Sequence, residues 1–445
     1  MGEPLRQSQE ENIQKDPREP RPQVKKHNVN VATLLGLIPG IGQFYNRRII
    51  KGSIMLVLAT AFVLTFAQFL NIGYWGLFTL GTMQGVDDSR TLLIQGILSL
   101  FLTVVAIGFY AACVIDARRD AVKIQNGWKI PSVRTALSDW FDNAFPYLLV
   151  TPGLILLVFV VVFPLLFMVL LAFTNYDRYN APPGNLLEWV GFQNFMDIVN
   201  VPIWRDTFVS VFSWTLTWTF GATTLQIALA LLLAIIVNDK RIKFKRTIRT
   251  VFILPWAVPA FVTIMIFSAL FNDNFGAINR DILEPLLGFG LPWMSDPFWA
   301  KTAIIMIQVW LGFPFVYALF TGVLQSISSD WYEAADVDGG SKWQKFRYIT
   351  LPHVLFATAP LLIMQYSFNF NNFNIIYLFN EGGPAVRGQE AGGTDILISW
   401  VYDLTFQNSM YSMAAVVSII MGMMVAIFAF FQFRRSRSFK EEGQV

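Results

Sequence analysis

Residues 328–353 read SSDWYEAADVDGGSKWQKFRYITLPH, a polar stretch set between two uncharged apolar runs at about 302–324 and 354–379. Asp330 followed three residues later by Glu333 has the spacing of a capping box, in which one carboxylate accepts from an early helix N–H and the glutamate reaches back. Ala334 and Ala335 favour a helix and add no bulk, so another surface can approach closely. Gly339-Gly340 admits the left-handed backbone that ends a helix. Trp343, Phe346 and Ile349, spaced three apart, mark a second short helix ending near Leu351-Pro352. The stretch therefore predicts a helix–turn–helix knob at a membrane face. By pattern alone, such a knob either packs on its own bundle or docks against another subunit.

Outward from the knob, the chain is apolar to an extent that excludes a soluble fold. Of 445 residues, 54% are apolar and 14% are charged, whereas a soluble domain carries about a quarter charged residues. Uncharged blocks of about 20 residues match the length needed to cross about 30 Å of hydrocarbon. Eight spans are expected, at about 53–79, 91–114, 147–173, 208–237, 250–271, 302–324, 354–379 and 411–433. Ten-residue units of alternating polarity, the mark of an outer-membrane barrel, are missing. Ahead of the spans, residues 1–30 are polar and charged, which predicts a disordered cytoplasmic tail. The following VATLLGLIPGIGQFYNRRIIKG, broken at Pro39-Gly40, suits a re-entrant or interfacial segment. Residues 31–140 thus comprise that segment and two spans, and 141–440 hold the main membrane domain.

Loop charge tests the count independently. Arg47, Arg48 and Lys51, then Arg118, Arg119, Lys123, Lys129 and Arg134, flank alternate spans. Six basic residues follow between 240 and 249, and Arg434, Arg435, Arg437 and Lys440 close the series. The intervening loops carry Asp87, Asp88, Asp177, Glu188, Asp197, Asp273, Asp281, Glu284 and Asp296. Under the positive-inside rule this places both termini in the cytoplasm. The basic run at 240–249 then reads as a topology signal and not as a nucleic-acid site.

The spans hold polar residues that demand partners. In the seventh, Gln365, Asn369 and Asn372 fall at i, i+4 and i+7, on one helix face with Phe368 beside them. In the sixth, Gln308, Leu311, Gly312 and Phe315 recur at helical spacing, and Gly312-Phe313-Pro314 predicts a local break that exposes carbonyls to a cavity. In the fifth, Trp256 and Ala260 lie four apart, just after Pro255. Amides can exchange hydrogen bonds with sugar hydroxyls while rings cover apolar sugar faces; the same amides also serve as interhelical glue. None of the expected spans contains Asp, Glu, Lys or Arg. Ion-coupled carriers commonly use such residues, so a neutral substrate and an external energy source are expected.

The knob with its neighbours resembles the bacterial ABC importer permeases. Glu333-Ala334-Ala335, Gly339, Ile349 and Leu351-Pro352 match that family's EAA-loop signature. ILPWAVPAFVTIMIF, FNDNFGAIN, VWLGFPF, SFNFNNF and FNEGGP look like the larger permease subunit of the maltose/maltodextrin importers, over roughly 140–440. The resemblance implies an all-α membrane protein of the type I ABC importer permease fold, with a cytoplasmic coupling loop at 329–352. It implies that Glu333, Ala334, Ala335, Asp338, Gly339, Ile349, Leu351 and Pro352 meet an ATPase subunit. It assigns the sugar site to Trp256, Ala260, Gln308, Leu311, Gly312, Phe315, Gln365, Phe368, Asn369 and Asn372. The best-known enteric member carries hydroxyl residues where Trp256, Ala260, Phe315 and Gln365 stand here, so an oligosaccharide is implied more firmly than maltose itself. The short loop after the third span and the PGIGQFYNRR segment look like permeases of Gram-positive bacteria.

The expected role is therefore a permease subunit that translocates oligosaccharide, maltodextrin foremost, across the bacterial cytoplasmic membrane. The implied partners are a second, smaller permease, two ATPase subunits and an extracytoplasmic sugar-binding protein. No G-x-x-x-x-G-K-S/T loop is present, so ATP–Mg is expected on the partner ATPase and no cofactor on this chain. With His27, His353 and Cys113 as the whole His and Cys complement, a metal cluster of those residues is not expected, nor is a disulfide framework. Two other readings stand beside this one: a self-sufficient ion-coupled sugar carrier, and a membrane enzyme using Glu333, Asp336 and Asp338 as acid/base groups.

Overall fold

A computed structural model describes residues 27–127, 133–239 and 241–435. Most of the expected 1–30 tail lies outside these residues, as do Lys129, Lys240, Arg437 and Lys440 of the charge argument. Among the described residues the secondary structure is helical apart from isolated bridges. Two compact units can be distinguished, one running to Phe167 and including Pro182–Glu188, the other comprising Met168–Ala181 and the chain from Trp189 onward.

In the first unit, α1 (Val29–Leu35) and α2 (Ile41–Tyr45) are short helices that precede the long α3 (Ile49–Thr79) and α4 (Ser89–Gln125). Asn28 caps α1 by accepting from the N–H groups of Asn30 and Val31. Buried Gln43 donates to the Cys113 carbonyl at 2.8 Å, and Asn46 to the Ala117 carbonyl at 2.7 Å. Arg48 pairs with Asp120 at 3.3 Å, and Lys51 with Asp116. The segment expected to be re-entrant or interfacial is thus tied by polar contacts to the end of α4. Leu34, Leu37 and Ile38 nevertheless stay exposed on its outer side. Helix α5 (Val133–Leu157) runs through a π-helical turn at Val158–Val162 into α6 (Phe163–Leu171).

The second unit contains α7 (Gln193–Asn200), α8 (Pro202–Asn238), α9 (Lys245–Ala257), α10 (Ala260–Leu270), the short α11 (Glu284–Leu287) and α12 (Pro297–Ser326). They are followed by α13 (Ser329–Val337), α14 (Lys342–Lys345), α15 (Leu351–Phe370), α16 (Phe373–Asn380), α17 (Leu397–Tyr402) and α18 (Tyr411–Arg435). Helices α8 and α12 form its spine. Their facing residues, including Trp218, Ala222, Ile304 and Ile307, make one buried cluster with Ile375 and Ile376 of α16. A second cluster further along joins Ala230 and Ala234 to Val316, Tyr317 and Phe320. Outward-facing apolar side chains such as Phe220, Leu225 and Met306 remain exposed, as expected of surfaces that face lipid.

Among the described residues, six helical stretches are long and apolar enough to cross a membrane alone, and the α9–α10 pair raises the number to seven. The eighth expected span is α18, whose apolar part Tyr411–Ile427 is shorter than those six. The fifth span departs from expectation, because α9 and α10 meet at an 88° bend. Pro255 and Pro259 explain it: proline removes a helical N–H and its ring clashes with the preceding turn. The sixth span departs in the opposite sense, since α12 runs unbroken through Gly312-Phe313-Pro314. In the seventh, the helix stops at Phe370 and resumes at Phe373, so Asn372 lies in the break and not on the face that carries Asn369.

The knob's first helix is α13, capped by Ser328, whose hydroxyl accepts from the Asp330 N–H. The expected capping box at Asp330 and Glu333 is not the cap used. A capping box forms instead at Ser341 and Gln344, at the start of α14. The second helix does not end near Leu351-Pro352 either. It continues through a π-helical turn at Phe346–Thr350 into α15, giving one helical stretch from Lys342 to Phe370. The wider turn lies just before Pro352, where it makes room for the proline ring.

Candidate functional site

The polar residues of α8, α12 and α15 meet in the interior of the second unit. Thr215, Thr219 and Thr223 follow at four-residue steps along α8, with Gln226 three further on, so they form a stripe on one face. All four are buried. Asn369, at the end of α15, is 0% exposed and donates to Thr223 Oγ1 at 2.7 Å and to Gln226 Oε1 at 3.3 Å. Its Oδ1 accepts from Gln308 Nε2 at 2.8 Å, and its backbone carbonyl accepts from the Trp218 indole at 2.8 Å. Gln308 Oε1 in turn accepts from Asn372 Nδ2 at 3.1 Å. Gln365 donates to Gln226 Oε1 at 3.3 Å.

Gln308, Gln365, Asn369 and Asn372 are therefore brought together even though they share no single helix face. Asn372 reaches the cluster from the helix break. Gly312 belongs here for a steric reason: a Cβ at that position would lie 2.3 Å from Gln226 Nε2, so the glycine opens the slot through which Gln226 crosses α12. The remaining expected residues take no part in this hydrogen-bond network. Trp256 and Phe315 touch edge to face at 5.8 Å between ring centres, and Trp256 is 59% exposed. Ala260 is exposed on α10, beyond the 88° bend from Trp256, so the two do not share the helix face implied by their spacing. Leu311 packs against the α8–α12 cluster, and Phe368 is 60% exposed.

The knob is the second candidate site. Gly339, at φ +73°, terminates α13: its N–H donates to the Asp336 carbonyl and that of Gly340 to the Ala335 carbonyl at 2.7 Å. This is a Schellman closure, which satisfies carbonyls that the helix end leaves unpaired. Tyr332 meets Thr350 at 2.9 Å between hydroxyls, and Asp336 pairs with Lys345, so the two arms are bound together. Glu333, Ala334 and Asp338 face outward, as does Pro352, while Ala335, Ile349 and Leu351 are half-buried. Trp331, Tyr348, Pro352 and Phe356 line a shallow apolar depression beside them. Glu333, Asp336 and Asp338 are all exposed on this outward surface.

Comparison with known proteins settles the family. A family model described as "Binding-protein-dependent transport system inner membrane component" matches residues 226–438. The galactooligosaccharides transport system permease protein GanP of Bacillus subtilis (strain 168) is 51% identical over 413 residues, covering 93% of this chain and 99% of that one. The chain belongs to the ABC importer permeases. The maltodextrin transport system permease protein MdxF of the same organism is 46% identical to this permease over 420 residues, covering 92% of this chain and 96% of that one. A solved chain titled as a bacterial ABC transporter involved in the import of the acidic polysaccharide alginate superposes with a TM-score of 0.54. At 20% identity, over 68% of this chain and 99% of that one, it speaks for the fold alone. The permease is thus a multi-pass inner-membrane transport component and not an enzyme.

Thr223, Gln226 and Trp218 of the permease were not singled out from sequence. A signal existed in the threonine–glutamine stripe of α8. It is hidden in sequence because Gln226 lies 82 residues ahead of Gln308 and 143 ahead of Asn369.

Proposed function

We propose that this chain lines the translocation path of an importer for neutral oligosaccharides and couples that path to a separate ATPase. The observation that carries the proposal is the near-full-length likeness to permeases whose names specify galactooligosaccharides and maltodextrin. The amide cluster and the aromatic residues of the expected site support the same reading: amides serve hydroxyls, and the exposed Trp256 and Phe368 with half-buried Phe315 offer flat apolar faces to sugar rings. The sugar site then comprises Trp256, Ala260, Gln308, Leu311, Gly312, Phe315, Gln365, Phe368, Asn369 and Asn372. In the structure at hand the innermost of these, Asn369, has its amide fully bonded to protein groups, so it supports the wall on which the outer residues are mounted.

In this proposal both termini are cytoplasmic, and the knob at 329–352 docks an ATPase subunit through the surface of Glu333, Ala334, Ala335, Asp338, Gly339, Ile349, Leu351 and Pro352. Two ATPase subunits hold ATP–Mg. A second permease completes the path, and an extracytoplasmic binding protein delivers the sugar. The structural neighbour solved with a pentasaccharide-bound periplasmic protein is consistent with such an assembly.

The test is uptake of labelled maltodextrin and galacto-oligosaccharide into proteoliposomes, leaving out each partner in turn. Uptake that needs ATP and every partner is expected, and competition between the two sugars ranks them. Uptake by this chain alone, abolished by an uncoupler, would replace the proposal with an ion-coupled carrier.

A further inference from the structure

We infer that Gln226 is a positioning residue for the sugar. It fixes which way the site's amides point, so that the carbonyl oxygens of Gln365 and Asn372 are kept for hydroxyl donors. The inference rests on the sugar-site reading above. A side-chain amide can be turned over to exchange its oxygen and nitrogen, so a ring of amides alone has no fixed direction. A backbone carbonyl breaks that symmetry, because it can only accept. Gln226 Nε2 donates to the Gln308 carbonyl at 2.8 Å, and this contact commits Gln226 Oε1 to be the acceptor.

Each further link follows from the one before. Gln226 Oε1 requires N–H groups from Asn369 and Gln365, both at 3.3 Å. Asn369, having turned its Nδ2 toward Gln226 and Thr223, presents Oδ1 to Gln308 Nε2. Gln308 then presents Oε1 to Asn372 Nδ2. The outermost amides, Gln365 and Asn372, are half-buried; the network uses their N–H groups and leaves their carbonyl oxygens. Gln226 itself is 0% exposed and seated in the slot above Gly312, so it acts through these residues and not on the sugar directly. A wall of carbonyl oxygens with no lysine or arginine bonded into it takes neutral polyhydroxyl chains and disfavours sugars that carry carboxylates.

The experiment uses the complete transporter in nanodiscs and measures the affinity of labelled maltotriose, galactotriose and trigalacturonate alongside ATPase activity. Gln226→Met is expected to weaken the neutral sugars about tenfold, the effect of losing one net hydrogen-bonded orientation, and to narrow their preference over trigalacturonate. ATPase activity stays within about twofold, whereas a purely structural lesion would lower both. Unchanged neutral-sugar affinity in Gln226→Met, with Asn372→Leu impaired, overturns this inference and leaves the site reading intact. Unchanged affinity in Asn372→Leu removes the site reading and this inference with it. Should Gln226→Met fail to assemble, Thr223→Val deletes only one acceptor for Asn369. An affinity loss of about threefold then supports the inference, and no loss overturns it.

Discussion

At the scale of single residues, the site depends on a side chain that sequence reading passed over and on a glycine that it credited for another reason. Gly312 was expected to loosen α12, yet its missing Cβ admits Gln226 while the helix stays intact. Gly312→Ala should push the Gln226 amide out of its slot and leave the buried Gln226 Nε2 without its acceptor, the Gln308 carbonyl. The expected loss is about 1–3 kcal/mol, read as a lower thermal midpoint of the purified complex. A midpoint equal to that of the unaltered protein would mean that Gln226 has a second seat. Asn369→Leu removes three side-chain partners at once and should depress both stability and sugar affinity, whereas Asn372→Leu, which loses one, should depress affinity alone.

At the scale of elements, two segments carry the functional consequences. The first is the turn after α13. Gly339 sits at φ +73° with open space around it, so a side chain there fits sterically but strains the backbone. Gly339→Val should cost about 1–2 kcal/mol locally. If the knob docks an ATPase, sugar transported per ATP hydrolysed should fall while assembly is retained; a constant ratio would argue for a knob that only packs on its own bundle. The second segment is the loop between α16 and α18. Burial raises the Asp403 carboxyl to about 7, with the charge of Asp395 and a hydrogen bond to it adding, and Glu381 contributing further. Burial likewise raises Asp395, against the bonds that it accepts from Ser399 and Gly392. Tyr377 and Tyr402 lie beside Asp403, and Gln407 donates to Asp403 at 3.0 Å. A carboxyl raised when folded binds more protons folded than unfolded. Its contribution is complete below the ordinary carboxylate pKa and is lost as pH rises through about 7. Hydrogen-exchange protection in this loop, corrected for the intrinsic pH dependence of exchange, should fall between about pH 4 and about pH 7, the window between the two pKa values, and Asp403→Asn should flatten that fall.

At the scale of the whole molecule, the two units call for separate tests. The first is fastened by Arg48, Lys51, Asp116 and Asp120, with Asp120 only 8% exposed in its side chain. Asp120→Ala removes the buried carboxylate that Arg48 and Lys51 both contact, a loss of charge-assisted bonding typically worth about 1.5–3 kcal/mol. Proteolysis within residues 29–125 should become faster, while the ratio of affinities among sugars, which the proposed site assigns to the second unit, should not move. A changed ratio would mean that the first unit takes part in selecting the sugar.

Much of the fold was legible in sequence because it depends on local composition. Uncharged blocks long enough to cross a bilayer, basic loops on one side and the EAA string are one-dimensional signals, and the helices lie close to where those signals put them. The breaks were not legible. Proline at 255 and 259 bends one span by 88°, proline at 314 leaves another continuous, and proline at 352 is absorbed by a widened turn. The outcome depends on what neighbouring helices offer the displaced backbone groups. The site followed the same division. Its residue types on α12 and α15 could be read as a polar face. Their orientation depended on Gln226, 82 residues from Gln308 and 143 from Asn369, and only tertiary packing brings those partners within hydrogen-bond reach. Sequence by itself determined that the chain crosses a membrane, belongs with importers and carries amides at depth. Tertiary structure decided which way those amides point, because the direction of a hydrogen bond is set by partners that sequence spacing does not connect.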